Sequence, residues 1–422
     1  MRNHPGWLLL LLIGALQLTP SFVNAAEKND VASQPLVLQD GDRIVFIGNT
    51  FADQLRLYNY LETLLTSHAP VDHLSFRNLA WSGDTLTLQP RPLNFGSLDD
   101  HLKEEKADVI IACFGMNESF AGPSGVKAYH EHWEQFLKHL QSQKYNGKTP
   151  PRVAILSPIA HENMGAPLPD PAQHNQSLSE YTRVMQSVAA EHQLPFVDLF
   201  SATQKLMEEN PSQKLTHNGI HLNEYGYWAV SQLTAEQLLG KEINSPQVLV
   251  DRQAETIKAT NADVTQQKFL ADKIQFTVKP RTLPIPAPPA GSITHSELLA
   301  AQPRLTVKHL PEGNYRLVID GTVILTGSAS DWDRGLVLVK LPSQIQVADL
   351  RSIINRKNEL FFYVYRAHNA EYIFGRRTKP FGAVSFPPEM ETFGKLIAAR
   401  EKTIQEEAQP LQAAECELIR VD

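Results

Sequence analysis

The chain has 422 residues, 42% of them hydrophobic and 20% charged. That suffices for two or three domains with sizeable cores and excludes disorder along the whole length. The net charge of −7 excludes a general nucleic-acid binder, which needs a basic face, and two cysteines exclude a disulfide-stapled scaffold.

In chain order, the first element is a targeting segment. Arg2 precedes the apolar run Trp7 to Leu18, and Val23 and Ala25 fit the small-residue pattern of a signal-peptidase site. The run is too short to span a bilayer, and Pro20 and Asn24 keep it from extending further. Residues 1–25 are therefore read as a signal peptide cleaved after Ala25. The mature chain is expected to be secreted or periplasmic, without stable membrane insertion. Residues 26–40 read as a polar leader.

From residue 41 to 240 short apolar runs alternate with amphipathic ones. RIVFIGN, HLSFRNLAW, ADVIIACFG, RVAILSPI and PFVDLF read as buried strands. Between them, Leu55, Tyr58, Leu61 and Leu65 recur at helical spacing, as do Val126, Tyr129, Trp133, Leu137 and Leu140. This pattern predicts an α/β fold in three layers, a parallel sheet covered by helices on both faces. Sites in such folds lie beyond the carboxyl ends of the strands.

After Gly240 the pattern changes. Residues 241–299 read as a helical and Pro-rich connector, with 245–272 helical and Pro284, Pro286, Pro288 and Pro289 in its stiff part. Residues 300–422 read as a second, smaller α+β module. Asp320–Gly321 is a hairpin turn, LVLVKL, LFFYVYRA and EYIFGRR read as strands, and a helix closes the chain. His368, Asn369, Tyr372, Arg376 and Arg377 form a polar and aromatic stretch able to contact sugars or the first domain, or simply to be a solvated edge.

Four short segments follow strands: Gly48-Asn49-Thr50, the loop with Gly83 and Asp84, Gly115-Met116-Asn117-Glu118, and Asn218-Gly219-Ile220-His221. Ester hydrolysis needs a hydroxyl, a histidine to take its proton, and donors facing the developing oxyanion. Thr50 supplies the hydroxyl, or caps the following helix. His221 is the candidate base and Asn218 its orienting neighbour. The Thr50 backbone, Gly83 and the Asn117 amide are candidate oxyanion donors. His161, after the fourth strand, is a candidate substrate contact.

These segments resemble the SGNH or GDSL-like hydrolase family over residues 41–240. Members carry Gly-Asp-Ser, a Gly, Gly-x-Asn-Asp and Asp-x-x-His in this order. The Gly, Asn and His members are intact here. Thr50 replaces the nucleophilic Ser, Asn49 the preceding Asp, and Asn218 the triad Asp. Threonine's methyl restricts χ1. An amide supplies no charge to an imidazolium, and a comparable change in a serine protease costs about 10⁴ in rate. His217, Asp84 and Glu118 are the groups able to compensate.

The resemblance implies an exported hydrolase of ester bonds in acylated carbohydrates or other small esters. Thr50, His221 and Asn218 would be catalytic, and Thr50, Gly83 and Asn117 would form the oxyanion hole. No metal or organic cofactor is implied, and a small-molecule or glycan ester is the expected partner. A degenerate binding protein for glycan or acyl ligands is the alternative, and a structural cell-envelope protein a further one.

Overall fold

The computed structural model describes residues 34–92, 95–293, 296–366 and 386–421. The leader up to Ala25 and the 368–377 stretch lie outside the described residues.

Five apolar runs form one parallel sheet: β1 (Arg43–Gly48), β2 (Ser75–Asn78), β3 (Val109–Cys113), β4 (Arg152–Leu156) and β5 (Phe196–Val197). Their order is β2-β1-β3-β4-β5. Strand side chains alternate between faces, which creates two cores. Ile44, Phe46, Val109, Ile111, Ala154 and Leu156 face helices α1 (Thr50–Tyr58), α2 (Tyr60–His68), α6 (Leu199–Glu209) and α7 (Glu224–Leu239). Val45, Ile47, Ile110, Ala112, Val153 and Ile155 face α3 (Leu98–Glu104), α4 (Val126–Ser142) and α5 (Ala172–Glu191). The fold is the expected three-layer α/β arrangement.

The chain runs from β1 out to β2 and then crosses back to β3 on the other side of β1. The loops leaving β1 and β3 therefore diverge and open a crevice at the sheet's carboxyl edge. Gly48 and Cys113, the last residues of these two strands, lie side by side. At Gly48 φ is +131°, and a Cβ would stand 2.0 Å from the Cys113 carbonyl oxygen. Only glycine lets the two backbones close here.

The second half departs from the sequence reading in three places, and the leader in one. Residues 245–272, expected to be helical, form strands β6 (Gln247–Asp251), β7 (Thr256–Thr260) and β8 (Ala262–Phe269). β7 alternates between exposed and half-buried positions, the period of a strand with one wet face, and its polar residues disguise it. The run Leu360 to Tyr365, expected as a strand, is the last part of α10 (Pro342–Tyr365). Leu360, Phe361 and Tyr365 are buried against the first domain's core. Of LVLVKL only β13 (Leu336–Val337) is strand. Leu36 and Leu38 of the leader are buried in the first core.

The short α8 (Ser296–Ala300) leads into β10 (Arg304–Lys308), and β6 and β7 join β10 and β13 in one sheet. The other sheet orders as β12 (Thr322–Ser328), β11 (Asn314–Ile319), β14 (Ala414–Arg420), β9 (Lys273–Pro280) and β8. Val250, Leu305, Val307, Phe276, Leu317, Leu418 and Trp332 of α9 (Ala329–Arg334) share their common core. These sheets form the second domain.

The 300–422 stretch is not a free-standing module, because α10 and α11 (Phe386–Glu407) reach back to the first domain. Lys357, fully buried, pairs with Glu62 at 2.6 Å and donates to the Phe76 carbonyl. Asn358 donates to the other Glu62 oxygen and to Asn59. Asn59, at φ +52°, separates α1 from α2. Arg77 at the end of the sheet is likewise held by Glu105 and by Glu401 of α11.

Candidate active site

Asn49 and Thr50 leave β1 directly into α1. Asn49, buried, is the helix N-cap: its side-chain oxygen accepts from the Phe51 N–H. Thr50 is the first helical residue and does not cap. Its hydroxyl has no hydrogen-bond partner among the described residues. The first-turn N–H groups of α1 point out of the helix start toward the crevice, a favourable place for negative charge.

The second loop is bound to this corner. Trp81 N–H donates to the Gly48 carbonyl, Asn78 donates to the Ala52 carbonyl, and Ser82 donates to Asp53 at 2.6 Å. Arg366, at the end of α10, also pairs with Asp53 and lies over the Trp81 ring. Gly83 has φ +90° and open space at its Cβ position.

The third loop carries Asn117, whose side-chain amide donates to the Asp84 carbonyl at 3.0 Å. Glu118 accepts from Gly115 N–H and Leu86 N–H, and burial raises its pKa. Both residues tie the second loop to the third. Asp84 is gripped by Arg91 through both oxygens. Neither acid is therefore the missing partner of His221.

The fourth loop is shaped by a residue that the motifs did not flag. Glu162, buried in the loop after β4, accepts from Leu215 N–H, Thr216 N–H and the Thr216 hydroxyl. Its own N–H donates to the Gly219 carbonyl. A lone acid in SPIAHEN gives no local hint that it will organise a turn more than fifty residues away. His217 meets His221 through backbone groups.

Within that turn the Asn218 side-chain nitrogen stands 3.0 Å from His221 Nδ1. The Asn218 oxygen accepts from Ile220 N–H and His221 N–H, so the amide's orientation is fixed. Nδ1 of His221 must then be the acceptor, and Nε2 carries the proton. Burial, reinforced by His217, lowers the His221 pKa. The ring is a neutral donor at its outer nitrogen.

Thr50, Asn117 and His221 line one cavity of about 30 Å³, together with Phe51, Met116, Ser157 and Ile220. Gly83, Asn218 and His161 do not line it. His161 packs instead against Gly219, where a Cβ would lie 2.7 Å from its Cδ2 and Nε2 atoms.

Comparison with known families then decides the class. Residues 41–229 match the GDSL-like Lipase/Acylhydrolase family model. This part of the chain is a GDSL-like lipase/acylhydrolase domain. The chain is similar in fold to a gut microbial diltiazem-metabolizing enzyme, at 18% identity, TM-score 0.67, covering 92% of this chain and 100% of that one. That likeness of fold takes in the second domain as well as the GDSL-like one. A catalytic mutant of an acetylxylan esterase from Geobacillus stearothermophilus matches at 16% identity and TM-score 0.36, covering 48% and 95%. The lipase/acylhydrolase from Enterococcus faecalis matches at 21% identity and TM-score 0.35, covering 47% and 96%. No curated protein matches the sequence. No helix among the described residues is long and apolar enough to cross a membrane.

Proposed function

We propose that the chain is an exported, slow carboxylic-ester hydrolase for small acyl groups, on acylated carbohydrates or other small esters. The observation that carries this reading is the shared cavity of Thr50, Asn117 and His221 at the switch point of a GDSL-like domain. A cavity of about 30 Å³ has room for one or two waters, which suits an acetyl-sized group.

Thr50 attacks the ester carbonyl. The oxyanion is met by the Thr50 backbone N–H and by the free hydrogen of the Asn117 amide, the two candidate donors that line the cavity. His221 Nε2 takes the Thr50 proton and gives it to the leaving alcohol. Water, deprotonated by the same nitrogen, then attacks the acyl-threonine ester, releasing the carboxylic acid and restoring the hydroxyl. For this the ring must hold its resting proton on Nδ1. Asn218 must then turn its oxygen toward Nδ1 and release the Ile220 and His221 N–H groups. Two hydrogen bonds at about 1 kcal/mol each make this roughly a thirtyfold handicap. An uncharged partner adds a further loss in the imidazolium state.

The test is turnover of short-chain aryl esters by purified mature protein. Activity that disappears in both Thr50→Ala and His221→Ala supports the assignment; activity that survives both rejects it. The Asn218 amide also favours a second reading, a binding protein in which His221 Nε2–H donates to a carbonyl or carboxylate ligand. Saturable binding of an acyl ligand with no product after long incubation would select it.

A further inference from the structure

The second domain holds a far larger cavity than the one at Thr50, about 260 Å³ between its two sheets. Its floor is made by Phe276, Leu305, Leu317 and Cys416, all buried. The rest of its lining comes from one end of the strands. Pro246 precedes β6, Arg304 opens β10 and Ala414 opens β14, while Pro280 closes β9 and Asp320 follows β11. Asp320, Leu411 and Gln412 are exposed and bring this end to the surface. An apolar cavity of about 150 Å³ stays dry and takes up benzene; about 260 Å³ has room for two fused aromatic rings or a chain of about eight carbons.

The polar groups at this end are unequal. Arg304 is half-buried, and among the described residues its guanidinium donates only to the Gly335 carbonyl, at 3.3 Å, with no acidic partner. Gly335 leaves room for its stem: a Cβ there would stand 3.1 Å from Arg304 Cδ. Asp320, on the other sheet, is already engaged, since its carboxylate accepts from the Glu415 N–H at 2.8 Å, and water screens it. Burial, with help from Asp320, pushes the Cys416 thiol up to about 12, so the floor carries a neutral thiol. The cavity therefore combines an uncharged apolar body with one cation that lacks a counter-charge.

We infer that this cavity is a binding site for a compact apolar carboxylate, an aromatic or medium-chain acid. Its hydrocarbon body lies between the sheets, and its carboxylate pairs with Arg304. The inference does not rest on the hydrolase reading, because every lining residue follows the GDSL-like domain in the chain.

Calorimetric titration of the purified chain with naphthoate, naphthol and naphthylmethylamine tests it, because the three share one apolar body and differ in charge. Saturable binding of naphthoate is expected, about tenfold tighter than that of naphthol, with the ammonium compound weakest. Arg304→Gln should weaken naphthoate about tenfold and leave naphthol unchanged. Ala414→Phe fills the cavity and should abolish binding of both. Val278→Phe, from the neighbouring strand, fills the same space and should do the same. A thermal melt of each variant shows that it is folded. No binding of naphthoate to the parent chain, or equal or tighter binding of the ammonium compound, overturns the carboxylate site. Naphthoate affinity that survives in either folded filling variant overturns the location, and affinity that survives in Arg304→Gln overturns the role of the arginine.

Discussion

Asn218 presents its amide nitrogen, not its oxygen, to Nδ1 of His221 across 3.0 Å. Backbone N–H groups of the same turn hold the oxygen away. That one contact sets the ring's proton on the wrong nitrogen for a general base, although the histidine itself sits at the cavity.

Asn218→Asp should therefore be a gain of function. One carboxylate oxygen keeps the Ile220 and His221 N–H groups, while the other accepts from His221 Nδ1–H. Nε2 is freed as a base, and the imidazolium gains a counter-charge. The expected rise in kcat/KM on aryl acetates is on the order of 10² to 10⁴. An unchanged or lower rate in a folded variant would mean that the tautomer does not limit turnover.

The pH profile depends on the same ring. Burial, with a contribution from His217, lowers the His221 pKa from its ordinary 6.5. The neutral ring is the active form, so activity is retained at neutral pH and falls only as pH drops below 6.5. In Asn218→Asp the carboxylate favours the charged ring, and the acidic limb should move to higher pH. A limb that stays in place between the two proteins would contradict the pairing.

The close approach of β1 and β3 predicts a stability effect. Gly48→Ala places a methyl against the Cys113 carbonyl at a positive φ. The expected loss is on the order of 3 kcal/mol or more, from overpacking and backbone strain together. Denaturant unfolding measures it, and a loss under about 1 kcal/mol would mean that the strand ends separate easily.

The five strands of the parallel sheet were legible, because short apolar runs alternate with amphipathic ones, but their order in the sheet was not. The grouping of Thr50, Asn117 and His221 was legible too, since the first two follow β1 and β3 and the third stands in a short motif just before α7. The tautomer was not. The sequence shows Asn218 three residues before His221 but not which end of its amide faces the ring. Glu162 and Arg366 were equally hidden, since their partners lie 53 to 54 and more than 280 residues away. In the second half, polar strands such as Thr256–Thr260 and the aromatic end of α10 mislead because tertiary packing there overrides local propensity.

The attachment of α10 to the first domain rests on Lys357 and Glu62. Burial lowers the Lys357 pKa while Glu62 opposes the shift. Lys357→Met leaves the Glu62 carboxylate without its cation and should cost about 3 kcal/mol or more. Replacing both, as Lys357→Met with Glu62→Leu, should recover part of that loss. If the single variant is as stable as the parent, the pair does not secure the helix.

The most direct test of Thr50 as nucleophile is the site of covalent capture by an alkyl fluorophosphonate, read by peptide mass spectrometry. A single adduct on Thr50 is expected, slow in the natural sequence, faster in Asn218→Asp and absent in His221→Ala. An adduct on another residue, or none on Thr50 even with the aspartate in place, would contradict it.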